Sequence, residues 1–243
     1  MNTIVSAFIS NINNRQDVNL NLYYNWGKLL FQCDVPKVIF VDIPMYNLIQ
    51  KTDYDETITK IIIIDKSSIY LYDYIDNITN FDINTNNKHK DTIEFMFIMC
   101  EKTEWLRQAI NMNPFNTNHF VWLDFGLKHV FKCSDDEFIQ KINKMIYKIY
   151  DQVRIGNIWN LNIHYNCNIY KDITWYFAGG VVGGHRDSLI QFANLVKNNC
   201  IDIMINKKTI IWEVNIWYLV YNLHKNLFDP YYCDHDYSIC DNF

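Results

Sequence analysis

Glycine and proline are scarce in this chain, with seven and four in 243 residues. That composition excludes a collagen-like or linker-type protein. Neither G-K-[ST] nor G-x-G-x-x-G occurs, so the phosphate loop and the dinucleotide fingerprint are both missing. The seven cysteines (33, 100, 133, 167, 200, 233 and 240) form no C-x-x-C and are odd in number. Free thiols in a reducing compartment are therefore expected, and the expected location is cytoplasmic. No apolar run approaches the ~20 residues of a membrane span. The opening M-N-T-I-V-S-A-F-I-S lacks a basic leader region and reads as a first strand. Positive charge is also in deficit: the net charge is −5, which gives a nucleic-acid partner no electrostatic support.

What is abundant is core material, with 49% hydrophobic and 16% aromatic residues. This is enough for one substantial core, and no linker or repeat divides 1–243, so a single domain is expected. Short apolar strands alternate with helical patterns. Thr3–Ser10, 37–42 and 61–65 read as strands, and Leu20–Cys33 and Thr92–Met112 as helices. The polar stretch 81–90 reads as a surface loop, and Ser134-Asp-Asp-Glu137 as a capping box opening a helix to about Asp151. Arg154–Leu161 and Thr174–Val182 read as further strands, Asp187–Cys200 and Ile210–His224 as the last helices, and 228–237 as a tail. The expected fold class is α/β, a mainly parallel sheet flanked by helices.

In such a sheet, ligands sit outside the carboxyl ends of the strands. Residues 120–126, F-V-W-L-D-F-G, run a strand straight into Asp124. A carboxylate there suits Mg²⁺ or Mn²⁺ shared with a substrate phosphate, and it equally suits a turn or helix cap. The D-F-G letters suggest a protein kinase, but the glycine-rich loop, the strand lysine and an H-R-D loop upstream of D-F-G are missing. Four of the seven glycines fall in W-Y-F-A-G-G-V-V-G-G-H-R-D (175–187), the expected ligand loop at a strand's end; tight strand–helix packing is the competing account. Glu213 lies in the apolar helix I-I-W-E-V-N-I-W, either paired, with Arg186 or Lys102, or functional. Cys233, Asp234, His235 and Asp236 cluster in the tail without zinc-site spacing.

The order of these motifs resembles the HtrL/YibB-like (WlaTC) family, glycosyltransferase-like proteins of bacterial surface-sugar loci and giant viruses. The resemblance runs from T-I-V-S-A-F through P-K-V-I-F-V-D, E-K-T-E-W-L-R-Q-A, N-P-F-N-T-N-H-F-V-W-L-D-F-G and A-G-G-V-V-G-G-H, about Thr3 to His235. It implies a GT-A-like, Rossmann-type domain that transfers a sugar from a nucleotide-sugar, a UDP-sugar in expectation, to a glycan acceptor. It implies Mn²⁺ or Mg²⁺ on the diphosphate, held by Asp124, where Asp-x-Asp is reduced to Asp-x-Gly, and by His235. Ala178, Gly179 and Gly180 would line the donor sugar, and Arg15 and Lys102 would face the nucleotide or diphosphate. Glu213 or Asp187 would serve as base to the acceptor hydroxyl. For a viral member the compartment would be the host cytoplasm. Two other readings stand beside it: a non-catalytic nucleotide-sugar or glycan binder, and a metal-dependent phosphohydrolase built on Asp42, Asp65 and Asp124.

Overall fold

The computed structural model describes residues 1–12, 19–50, 53–76 and 78–243. In chain order the elements begin with β1 (Asn2–Phe8), α1 (Leu20–Gln32), β2 (Lys37–Val41), α2 (Ile43–Tyr46), β3 (Thr59–Ile63) and α3 (Tyr72–Ile75). They continue with α4 (Ile93–Met112), β4 (His119–Leu123), α5 (Asp135–Met145), β5 (Val153–Asn157) and β6 (Phe177–His185). Then come α6 (Arg186–Lys207), α7 (Glu213–Leu223), β7 (Phe228–Tyr232) and α8 (Ser238–Asp241). The expected α/β class holds: one seven-stranded sheet of order β3-β2-β1-β4-β6-β5-β7. β6 alone runs against its neighbours, pairing antiparallel with β4 and β5. The remaining pairings are parallel. The 3-2-1-4 half is Rossmann-type, with its switch point between β1 and β4.

Local chemistry sets the element ends. Thr92 caps α4 by accepting from Phe95 N at 3.1 Å, and Asn113 closes it in the left-handed conformation (φ 39°) ahead of Pro114. The Ser134 cap opens α5 as the capping box predicts, but α5 ends at Met145 rather than near Asp151. Two stretches differ more. The double-glycine block is not a loop beyond a strand; it is the body of β6. The stretch read as a tail is also ordered structure: 228–232 forms β7, parallel to β5.

Strand alternation divides the core between two helical layers. Val5, Val38, Phe120 and Trp122 pack with α4, α6 and α7. Ile4, Ile39, Val121 and Leu123 pack with α1, α5 and α8. The segment joining β5 to β6 is tied to α7 by Asn215, which is 1% exposed. Its Oδ1 accepts from Thr174 N and Oγ1, and its Nδ2 donates to the carbonyls of Ile169 and Asp172, all at 2.7–2.8 Å. No helix of the described residues is long and apolar enough to cross a membrane.

Helix α4 is buried on nearly every side, and its polar residues meet two different environments. Glu104 pairs with Arg107 and with Lys197 of α6 (3.3 Å). Glu101, 2% exposed, has no ion-pair partner among the described residues, and its Oε2 accepts no hydrogen bond from them. Burial, then the nearby Glu104 carboxylate, push its pKa up to about 9. The folded state thus holds a proton that the unfolded chain releases near the ordinary carboxylate value. The stability this gives is complete at low pH and is lost as pH rises towards 9. Glu101→Gln is expected to flatten that decline and to be the more stable protein at pH 8–9, as measured by urea unfolding across pH.

Candidate functional site

The alternation that sends Trp122 towards α4 sends Asp124, two residues on, the same way. Asp124 leaves the carboxyl end of β4, its N–H donating to the carbonyl of Gly180 on β6 at 3.0 Å. There it meets Lys102 from the middle of α4. The Lys102 ammonium lies 2.9 and 3.1 Å from the two Asp124 oxygens, 2.9 Å from Glu213 Oε1 and 3.1 Å from the Gly179 carbonyl. An ammonium has three protons, and here three groups accept them. The side chains of Lys102 and Glu213 are 3% and 5% exposed, while Asp124 is 37% exposed. Burial alone would lower the Lys102 pKa; Asp124 and then Glu213 outweigh it and hold the pKa above the ordinary lysine value.

The glycines fit around this cluster. A Cβ on Gly179 would stand 2.7 Å from Glu213 Oε1 and 3.1 Å from Val214 Cγ1. One on Gly180 would meet Leu127 Cδ1 at 2.8 Å, with Asp124 Oδ2 4.0 Å away. Close packing against Glu213 and Leu127 therefore accounts for the A-G-G sequence, and Ala178 itself is buried among the α1–α5 core.

The structure rearranges the residues nominated from sequence. Asp124, Lys102, Gly179, Gly180 and Glu213 come together. Lys102, however, is enclosed and saturated, so it holds Asp124 and Glu213 rather than facing a nucleotide. Glu213 is likewise turned inward, onto Lys102, and not towards an acceptor; its second oxygen Oε2 is buried with no hydrogen-bond partner among the described residues. Ala178, at 1% exposure, does not line a donor site. Asp187 belongs to the other edge. Because β6 is antiparallel, Val181 sits beside Leu123 but His185 sits beside His119, which is about 13 Å of strand away. Asp187 is 80% exposed there, next to His185 and Arg186. Arg15 lies outside the described residues.

His235 follows β7 at the same edge as Asp124. Its ring packs edge-on against Trp175, with centroids 4.2 Å apart. Burial lowers its pKa; Asp234 acts in the opposite sense, and Lys90 adds to the lowering. The Cys233 thiol is pushed up to about 12 by burial, then by Asp234 and Asp236, so it is no ready thiolate. Among the described residues, no three or more His, Cys, Asp and Glu side chains group to hold a metal ion. Asp42 caps α2 (Met45 N, 3.1 Å) and accepts from Ser10 N at 2.8 Å. Asp65 caps a 3₁₀ turn through Ser67 N at 2.8 Å. Two of the three strand-end carboxylates of the phosphohydrolase reading, Asp42 and Asp65, thus serve as caps of separate turns.

Sequence reasoning overlooked Trp122, whose Nε1 donates to Asp124 Oδ1 at 2.7 Å. The spacing of two on one strand was the available signal. Lys102→Met would leave two carboxylates without their cation, and is expected to cost about 3–5 kcal/mol, seen as a lower urea unfolding free energy. Adding Glu213→Gln should recover part of that loss.

Comparison with known proteins gives one family. The model described as "Bacterial protein of unknown function (HtrL_YibB)" matches residues 2–236. A search of curated proteins found no match. Among solved structures, the apo crystal structure of mouse xyloside xylosyltransferase 1 is similar at 9% identity and a TM-score of 0.46, over 95% of this chain and 84% of that one.

Proposed function

The chain belongs to the HtrL_YibB family, and we propose that it is a glycosyltransferase that uses Mn²⁺ or Mg²⁺ to move a sugar from a nucleotide-sugar, a UDP-sugar, to a glycan acceptor. The observation that carries this is the half-exposed Asp124, fixed at the carboxyl edge of the sheet beside the β1/β4 switch point by a buried lysine. This is the edge where open α/β sheets bind ligands.

The donor set suits a divalent cation of this kind. One ammonium faces two carboxylates, which leaves one formal negative charge uncompensated, and Glu213 Oε2 adds a buried oxygen without a partner. Mg²⁺-type ions are commonly held by one or two carboxylates together with substrate phosphates, without an all-protein cage. Asp124 is the residue that would hold the ion, and His235, from the same edge, is the second proposed ligand. The ion supplies electrostatic stabilisation of the departing diphosphate.

The chain's own residues do the rest. Lys102 holds Asp124 at the sheet edge, within 2.9 and 3.1 Å of its two oxygens. Gly180, with no side chain, lets Leu127 pack close beside the Asp124 edge. Glu213 keeps Lys102 charged at full burial, so the site does not depend on solvent to neutralise it. The seven cysteines are all unpaired, which agrees with work in the cytoplasm.

The test is thermal stability of the wild type and Asp124→Asn against a panel of nucleotides and nucleotide-sugars, with and without Mn²⁺. A rise of several degrees for one donor family is expected, dependent on metal and absent in a variant that still folds. Slow hydrolysis of that donor should fall at least ~100-fold in the variant, about 2.7 kcal/mol of barrier. A flat panel overturns the reading, and binding without turnover makes the protein a nucleotide-sugar binder of the same fold.

A further inference from the structure

Trp122 is 2% exposed, and its ring is locked by a stack of aromatics. It lies parallel to Trp105 (6.1 Å, 10°), which in turn stacks on Phe40 (6.4 Å, 23°). An indole has one donor and no acceptor, and that donor goes to Asp124 Oδ1 at 2.7 Å. Oδ1 therefore takes the Trp122 N–H, with the Lys102 ammonium 2.9 Å away as its ion-pair partner. Oδ2 takes the hydrogen bond of the flexible Lys102 side chain at 3.1 Å and is the oxygen on the Gly180 side. The terminal torsion of an aspartate is broad and roughly two-fold, so a single flexible lysine does not by itself choose which oxygen turns which way. A rigid donor does.

We propose that Trp122 is the positioning residue of Asp124: its N–H occupies Oδ1 and so presents Oδ2 to the cation that accompanies the donor diphosphate. The proposal rests on the metal-dependent reading above. It adds that cation affinity depends on an N–H buried one layer beneath the site, on a residue that touches neither ion nor substrate.

The experiment uses the full chain, with Mn²⁺ and inorganic pyrophosphate as the probe, and free Mn²⁺ followed by electron paramagnetic resonance. Three proteins are compared: the wild type, Trp122→Phe, and a chain with benzothienylalanine at position 122, which keeps the ring shape and lacks the N–H. Both altered chains are expected to bind Mn²⁺ about tenfold more weakly, while the benzothienylalanine chain keeps the wild-type melting temperature. Wild-type affinity in either altered chain overturns the proposal, because the indole N–H would then make no difference to cation binding. If the wild type itself takes up no Mn²⁺ with pyrophosphate, the metal reading fails, and the Trp122 role is decided by solvent exchange of its indole N–H. Exchange at least tenfold faster in Asp124→Leu supports the pairing, and unchanged exchange overturns it.

Discussion

The Lys102 ammonium is the interaction on which the rest of the site depends. A cation this deeply enclosed costs several kcal/mol unless paired and hydrogen-bonded, and it is satisfied by groups far apart in sequence. Asp124 comes from β4, the Gly179 carbonyl from β6 and Glu213 from the first turn of α7. Three elements are thereby tied to one point on α4. The tie has steric conditions: Glu213 reaches Lys102 only because position 179 has no side chain. It has a topological condition as well. The reversal of β6 brings its first residues, and not its last, beside the end of β4. A parallel β6 would have put the His185 end there instead.

The frame of the fold was legible in the sequence, because periodicity and capping are local. The β1–β4 strands, the long α4 helix with its Thr92 and Asn113 ends, and the opening of α5 all follow from residues a few positions apart. The glycine block was read as a loop because glycine usually weakens a strand. Its purpose in β6 is close approach, to Glu213 at Gly179 and to Leu127 at Gly180, and those neighbours come from other parts of the chain. Asp124 and Glu213 stood out as carboxylates in apolar surroundings, and the lysine that joins them was one of two partners considered. What could not be read was direction. Sequence places Asp187 two residues past a glycine block that touches the site, whereas strand polarity carries it to the opposite edge. Trp122 was hidden for another reason: a tryptophan in a buried strand is expected as core, and only its single N–H distinguishes this one.

The departure from Asp-x-Asp to Asp-x-Gly has a physical account in the same geometry. Gly126 lies under the aromatic face of α1, where a Cβ would meet the Tyr23 ring at 3.1 Å and Trp26 at 3.5 Å. Trp26 in turn packs on His129, whose Nδ1 lies 2.6 Å from the Gly126 carbonyl. A carboxylate at 126 would have to displace this layer, and its charge would enter an aromatic setting. The second acid of the cluster, Glu213, comes from α7 and is paired with Lys102. The cluster keeps two carboxylates, as a two-acid motif would, but only Asp124 remains open to solvent. That division separates the tasks: the buried acid sets the charge and position of the lysine, and the lysine and Trp122 set the exposed acid. Under the proposed function, such a site would present one carboxylate of fixed position and leave the remaining coordination of its cation to the phosphates of the donor.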